Sequence, residues 1–252
     1  MMKVVWDEWG VPRSPLFDDK YFCDRDGHAD ALHVFCGGNH LRERFAALDQ
    51  GRAGRFTIIE TGFGTGLDFC TVWQLWNELA PRSWQLHFIS LELYPLGRED
   101  IERALAVWSP LAGFCREFLA HYVPEPPGGT MRAQLDAGKV LLDIVFNDVV
   151  AALALITHDK MAPQGADAFF LDGFAPSKNP DMWTPEVYAG VAGLSRPGTT
   201  FATFTAAGHV RRGLESAGFL IARPPGYAGK RSILTGTFSG KGSEAGSDLL
   251  LK

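Results

Sequence analysis

The 252-residue sequence has only four cysteines, Cys23, Cys36, Cys70 and Cys115, widely spaced and with no C-x-x-C pair. That scarcity speaks against a disulfide framework and a thiolate zinc site, and the four read as reduced, mostly buried thiols of a cytoplasmic protein. The seven histidines include no H-x-x-x-H or H-E-x-x-H spacing, so no metal is expected. No apolar run approaches the ~18 residues of a membrane span, and residues 1–19 lack the apolar core of a signal peptide. A cytoplasmic location with no membrane partner is therefore expected. Net positive charge is lacking too: 24 Lys+Arg stand against 29 Asp+Glu, a formal −5, which argues against a general nucleic-acid binder. The balance is uneven along the chain. From Arg196 to Arg231 there are six Lys/Arg against the single acid Glu215, whereas the N-terminal stretch carries Asp7, Glu8, Asp18, Asp19, Asp24, Asp26 and Asp30. Such asymmetry permits an anionic partner on one face, although a solvated helix face is the commoner cause.

What is present is an ordinary globular composition, 46% hydrophobic and 21% charged, and one distinctive loop. Phe56–Glu60 reads as a short apolar strand ending on an acid, followed by Thr61-Gly62-Phe63-Gly64-Thr65-Gly66. Alternating glycines after a buried strand bring bare backbone close to a small molecule. A dinucleotide fingerprint needs G-x-G-x-x-G, but counted from Gly62 the third position is Leu67. The E-x-G-x-G-x-G pattern is instead that of doubly wound S-adenosylmethionine (SAM) methyltransferases.

The rest of the chain supports that architecture. Residues 1–54 read as an appendage of turns, a short strand around 31–36 and a helix with Asn39 as N-cap. From residue 55 to 238, strands at 56–60, 86–92, 140–146, 168–171 and 200–205 alternate with helices at 67–79, 98–108, 114–122, 185–194 and 209–218. This alternation predicts a mostly parallel sheet with helices on both faces. The last two strands, 219–223 and 232–238, are joined by a loop too short for a crossover and must form an antiparallel hairpin. Residues 239–252, small, polar and glycine-rich, read as a disordered tail.

Ligands of open α/β sheets lie outside the carboxyl ends of the strands, and four successive strands here end on or near an acid. Glu60 can meet a methionine ammonium directly or through water, Glu92 both ribose hydroxyls, and Asp148 the adenine amine. Any one of them taken alone reads equally well as a solvated rim acid; four beside that glycine loop are the argument. The fourth, Asp172, opens the loop Gly173-Phe174-Ala175-Pro176-Ser177-Lys178-Asn179-Pro180-Asp181-Met182-Trp183. Carboxylate, amide and aromatics on one loop suit an acceptor amine attached to a flat ring. A loop that Trp183 merely staples to the next helix is the alternative.

With the glycine loop, His87-Phe88-Ile89-Ser90, the 170–183 loop, Phe201-Ala202-Thr203-Phe204-Thr205 and Val210-Arg211-Arg212-Gly213-Leu214 in view, the chain resembles the methyltransferase domain of the bacterial tRNA 5-methylaminomethyl-2-thiouridine biosynthesis (MnmC/MnmD) family. The resemblance runs from about Leu16 to Gly236. It implies methyl transfer from SAM to the amine of 5-aminomethyl-(2-thio)uridine at the tRNA wobble position. Asp172 would then orient the amine, with its proton leaving through Asp172 and water or to solvent beforehand. Thr61, Gly62, Gly64 and Gly66 would complete the cofactor site. Phe174 and Trp183 would grip the base, with Asn179 and Asp181 beside them, and Lys178, Arg211, Arg212, Lys230 and Arg231 would meet phosphates of the anticodon region. The family's FAD oxidase domain has no counterpart in these 252 residues, so a stand-alone form is expected, with a separate oxidase or other precursor-forming enzyme as partner. A small-molecule amine methyltransferase and a non-catalytic SAM-binding subunit are the alternatives.

Overall fold

In the computed structural model, which describes residues 2–23, 26–229 and 232–240, the acid-rich lead folds as three short strands. These are β1 (Val5–Trp6), β2 (Pro12–Ser14) and β3 (Asp19–Lys20), paired antiparallel in that order. The short strand expected at residues 31–36 is not formed. Asp26 caps a helix by accepting from the Ala29 amide, and α1 (Gly27–Ala31) continues into a π-helical stretch, Leu32–Gly37. Its helical path buries Val34, Phe35 and Cys36 in the same cluster as Leu41 and Phe45 of α2 (Leu41–Ala46). Nor is Asn39 the cap of α2, where His40 stands in the left-handed region (φ 53°). Asn39 is fully buried instead, and its amide donates to the Phe35 and Phe169 carbonyls and accepts from the Thr200 hydroxyl. A buried amide needs such partners, and here they tie the N-terminal helices to the sheet.

Strands and helices then alternate: β4 (Gly54–Glu60), α3 (Leu67–Leu79), β5 (Trp84–Leu91), α4 (Arg98–Leu105), α5 (Ala112–His121), β6 (Thr130–Leu135), β7 (Val140–Val145), α6 (Val149–His158), β8 (Ala166–Phe170), α7 (Pro185–Gly193), β9 (Ser195–Thr203), α8 (Gly208–Ser216), β10 (Phe219–Ala222) and β11 (Leu234–Phe238). The sheet order is β10-β11-β9-β8-β4-β5-β7-β6. The inner run from β9 to β7 is parallel. β11 lies antiparallel between β9 and β10, and β6 lies antiparallel at the far edge. The doubly wound sheet closed by an antiparallel hairpin is thus the fold observed.

Pleating sends alternate residues to opposite faces. Phe56, Ile58, Phe88 and Phe170 pack with α3 and α5, while Ile59, Ile89, Phe169 and Leu171 pack with α6, α7 and α8. The edge strand β6 is pinned by charge: Arg132 donates to both Asp143 oxygens at 2.7 and 2.8 Å, and His87 Nε2 lies 2.7 Å from the same carboxylate. Among the described residues no helix is long and apolar enough to cross a membrane.

Candidate active site

Strands β8, β4, β5 and β7 are neighbours and point the same way, so their carboxyl ends bring Asp172, Glu60, Glu92 and Asp148 to one rim. A cavity of about 870 Å³ opens there. Gly62 and Gly64 of the loop after β4 line it, and each position disfavours a side chain. A Cβ on Gly62 would lie 3.1 Å from the Asp172 carbonyl oxygen, and Gly64 has a φ of +53°. Gly66, at φ +75°, turns the chain into α3 with the Phe63 ring behind it, and does not itself reach the cavity.

The four expected acids prove unequal. Glu92 borders the cavity and accepts from the Gly64 amide at 2.9 Å and the Tyr94 amide at 2.7 Å. Burial pushes its carboxyl above the usual range, against the pull of those amides. Asp148 also borders the cavity, but one of its oxygens caps α6, accepting from Val150 and Ala151. Glu60 sits behind the loop, 1% exposed and outside the cavity lining, and accepts from the Ser90 hydroxyl at 2.5 Å. Burial first, then Asp68, drive its carboxyl well upward. Asp172 lines the cavity and is held from two sides. The Gly173 amide donates to its side chain at 2.8 Å, and the Thr61 hydroxyl donates to its carbonyl at 2.6 Å. Burial and the neighbouring Glu92, Asp30 and Asp19 push its carboxyl up to about 7.

Three further acids, Asp19, Asp30 and Asp68, line the same cavity, and the sequence reading assigned none of them to a site. Asp68 carried a local signal, since it stands in the first turn of the helix that follows the glycine loop. Asp19 and Asp30 reach the cavity only through tertiary packing.

The 172–183 loop lies across the cavity, and Phe174, Asn179, Asp181 and Trp183 line it. Trp183 is buried, and its indole N–H donates to the Phe174 carbonyl at 3.1 Å, so it also staples the loop. Lys178 pairs with Asp18 at 2.8 Å. Arg211 pairs with Glu215 at 2.6 Å, one turn along α8, and Arg212 beside it is exposed; neither lines the cavity. Lys230 and Arg231 lie outside the described residues, although Tyr227 of the same loop reaches the cavity.

A family model described as S-adenosyl-L-methionine-dependent methyltransferase matches residues 110–239, just over half of the chain. The chain belongs to this family. SAM is therefore its cofactor, and the molecule is a methyltransferase. The chain is 47% identical over 238 residues to the tRNA 5-methylaminomethyl-2-thiouridine biosynthesis bifunctional protein MnmC of Pseudomonas fluorescens, covering 94% of this chain and 35% of that one. It is 45% identical to the protein of the same name from Pseudomonas entomophila, with the same coverage. The chain thus spans about a third of the length of these relatives. The crystal structure of MNMC2 from Aquifex aeolicus superposes with a TM-score of 0.65 at 19% identity, covering 94% of this chain and 70% of that one, and shows the same fold.

The cavity of this methyltransferase suits SAM in charge. Its described lining holds seven carboxylates and a single lysine, Lys20, which is itself paired with Asp7. SAM carries a sulfonium and an ammonium, and buried carboxylates favour such cations. The missing side chains at Gly62 and Gly64 leave room for the Asp172 carbonyl and the Tyr21 ring, which pack against this loop at the cavity wall.

Proposed function

We propose that this methyltransferase acts on the exocyclic amine of 5-aminomethyl-(2-thio)uridine at the wobble position of tRNA. The observation that carries the reading is the carboxylate surround of Asp172 at the head of the aromatic 172–183 loop. Such a surround draws in a cationic amine and repels anionic acceptors. The names of the relatives, whose length the chain covers only in part, point to the same chemistry.

SAM supplies an electrophilic methyl group on a sulfonium. The chain's own residues must bind, orient and deprotonate. Glu92 and Asp148 would hold the ribose and adenine ends. An alkylamine titrates near ~10.4 and attacks only as the free base, so a proton must leave. An aspartate whose own titration is pushed up to about 7 accepts that proton more readily than a solvated one. The Gly173 amide and the Thr61 hydroxyl fix Asp172 for this task. Alignment of amine and methyl supplies much of the acceleration, up to ~7–11 kcal/mol when geometry is held.

The acid-lined cavity repels phosphate, so on this reading only the unstacked base enters. The anticodon backbone stays outside, near Arg212. A separate oxidase or other precursor-forming enzyme would generate the aminomethyl group.

Incubation with labelled SAM and tRNA bearing 5-aminomethyluridine, followed by digestion to nucleosides, tests the reading. Label in methylaminomethyluridine is expected. Label in free amines or nucleosides with none in tRNA would favour a small-molecule amine methyltransferase instead.

A further inference from the structure

The β2–β3 hairpin belongs by sequence to a polar appendage, yet it forms part of the cavity mouth. Phe17, Asp19 and Tyr21 line the cavity. Phe17 stacks on Phe174 with centroids 4.8 Å apart and planes at 28°. Tyr21 meets the same Phe174 ring edge-on at 5.3 Å, and Tyr94 lies against Phe17 at 5.7 Å. Rings that served only to hold a loop would be expected to bury themselves. Here Phe17, Tyr21 and Phe174 are each only partly covered, and Tyr94 is exposed.

Polar contacts hold the hairpin to the acceptor loop. Asp19 accepts from the Ala175 amide at 3.0 Å. Lys178 donates to the Asp18 side chain at 2.8 Å and to the Asp18 carbonyl at 3.2 Å. Asp18 is a left-handed turn residue (φ 48°) that Arg13 also holds. Tyr21 joins the two halves of the site, since a Cβ on Gly64 would lie 3.3 Å from its ring. One ring therefore borders both the glycine loop and the acceptor loop.

Resting on the aminomethyl-pyrimidine reading above, we infer that the β2–β3 hairpin is the acceptor-selecting wall of the active site. Phe17 and Tyr21, with Phe174, take the flat ring that carries the amine, while Asp18 and Asp19 hold the acceptor loop in place. Aromatic faces favour a planar ring of any sequence context, and the carboxylates deeper in the cavity favour a cationic arm on it. An aliphatic amine satisfies only the second demand and is a poor acceptor.

The test compares the wild-type enzyme with Phe17→Ala, Phe17→Leu and Phe17→Tyr on tRNA bearing 5-aminomethyluridine, with SAM affinity measured separately by calorimetry. Phe17→Ala and Phe17→Leu are expected to raise the acceptor KM by roughly tenfold or more, the size of a lost base–aromatic stack. SAM affinity should hold. Phe17→Tyr keeps the ring and should stay near wild type, whereas Phe17→Leu keeps apolar bulk and guards against simple misfolding. A wild-type enzyme active on this tRNA, with acceptor KM unchanged in Phe17→Leu and Phe17→Ala, overturns the wall and leaves the tRNA reading standing. A loss of SAM affinity or kcat at unchanged acceptor KM likewise reduces Phe17 to packing. A wild-type enzyme inactive on this tRNA overturns the reading and the wall together.

Discussion

The backbone amide of Gly64 donates to Glu92 Oε2 at 2.9 Å, joining the loop after β4 to the acid after β5. The Tyr94 amide occupies the other oxygen at 2.7 Å, so the carboxylate is oriented before any ligand arrives. Glu92→Ala should weaken SAM binding by roughly 1.5–3 kcal/mol, the usual worth of hydrogen bonds to a charged group. Glu92→Gln should lose less, because its amide oxygen can still accept from Gly64. Calorimetry decides the matter, and an affinity unchanged in Glu92→Ala would leave Glu92 as a loop support only.

Asp172 is expected to govern turnover more than binding. Asp172→Ala should lower kcat by about 10²–10⁴, the range for a positioned acid or base, while Glu92 and Asp148 preserve SAM affinity. In the wild type the rate should rise with pH as the Asp172 carboxyl ionises, below its cofactor-free value of about 7 because bound positive charge favours the anion. In Asp172→Asn that limb should move to higher pH, toward the amine's own value near ~10.4. Full activity in Asp172→Ala would remove the residue from the mechanism.

The same group shapes stability. Asp172, pushed up to about 7, and Glu60, Asp68 and Glu92, also held above the ordinary range by burial, bind protons more tightly folded than unfolded. Their stabilising contribution is full below about pH 4 and is lost as pH rises through the folded values. Thermal denaturation of the cofactor-free enzyme should therefore show Tm falling from about pH 5 to about pH 8. Asp172→Asn should flatten that fall, and the Tm gained on adding SAM should be larger at the higher pH. A flat profile in the wild type would mean that these carboxyls are well solvated.

Glu60 holds the expected place in the motif but is not among the residues that line the cavity. It lies behind the glycine loop on the Ser90 hydroxyl, so Glu60→Gln, which can still accept that bond, should change SAM affinity by less than about 1 kcal/mol. A larger loss by calorimetry would restore Glu60 to the ammonium.

How far the sequence revealed the site depends on how local each signal was. The glycine loop and the strand-end acids were legible because spacing along one strand and turn defines them. The edge strand β6 carried a signal that went unread: Met131, Ala133 and Leu135 alternate inward with Arg132 and Gln134 between them, the period-2 pattern of a half-buried strand. Residues 149–156 form an unbroken apolar run of eight residues, and a run of that length reads as strand or helix equally well. The N-terminal strands are two or three residues long and have no period to detect. Lys178 looked like a phosphate contact, because its partner Asp18 lies 160 positions away and only the fold brings them together.

The tRNA reading makes its sharpest demand on α8. Arg211 and Arg212 are adjacent in sequence but differ in circumstance. Arg211 is already paired with Glu215 at 2.6 Å, whereas Arg212 is exposed. A phosphate contact releases counterions, and removing one such cation lowers the salt dependence of binding by about one unit of slope. Arg212→Ala should therefore weaken tRNA binding and reduce the slope by about one. Arg211→Ala should do less, because Glu215 already offsets its charge. SAM affinity should be unchanged in both, as neither side chain lines the cavity. Filter binding across a salt series measures these slopes, and a wild-type slope in Arg212→Ala would move the docking face away from α8.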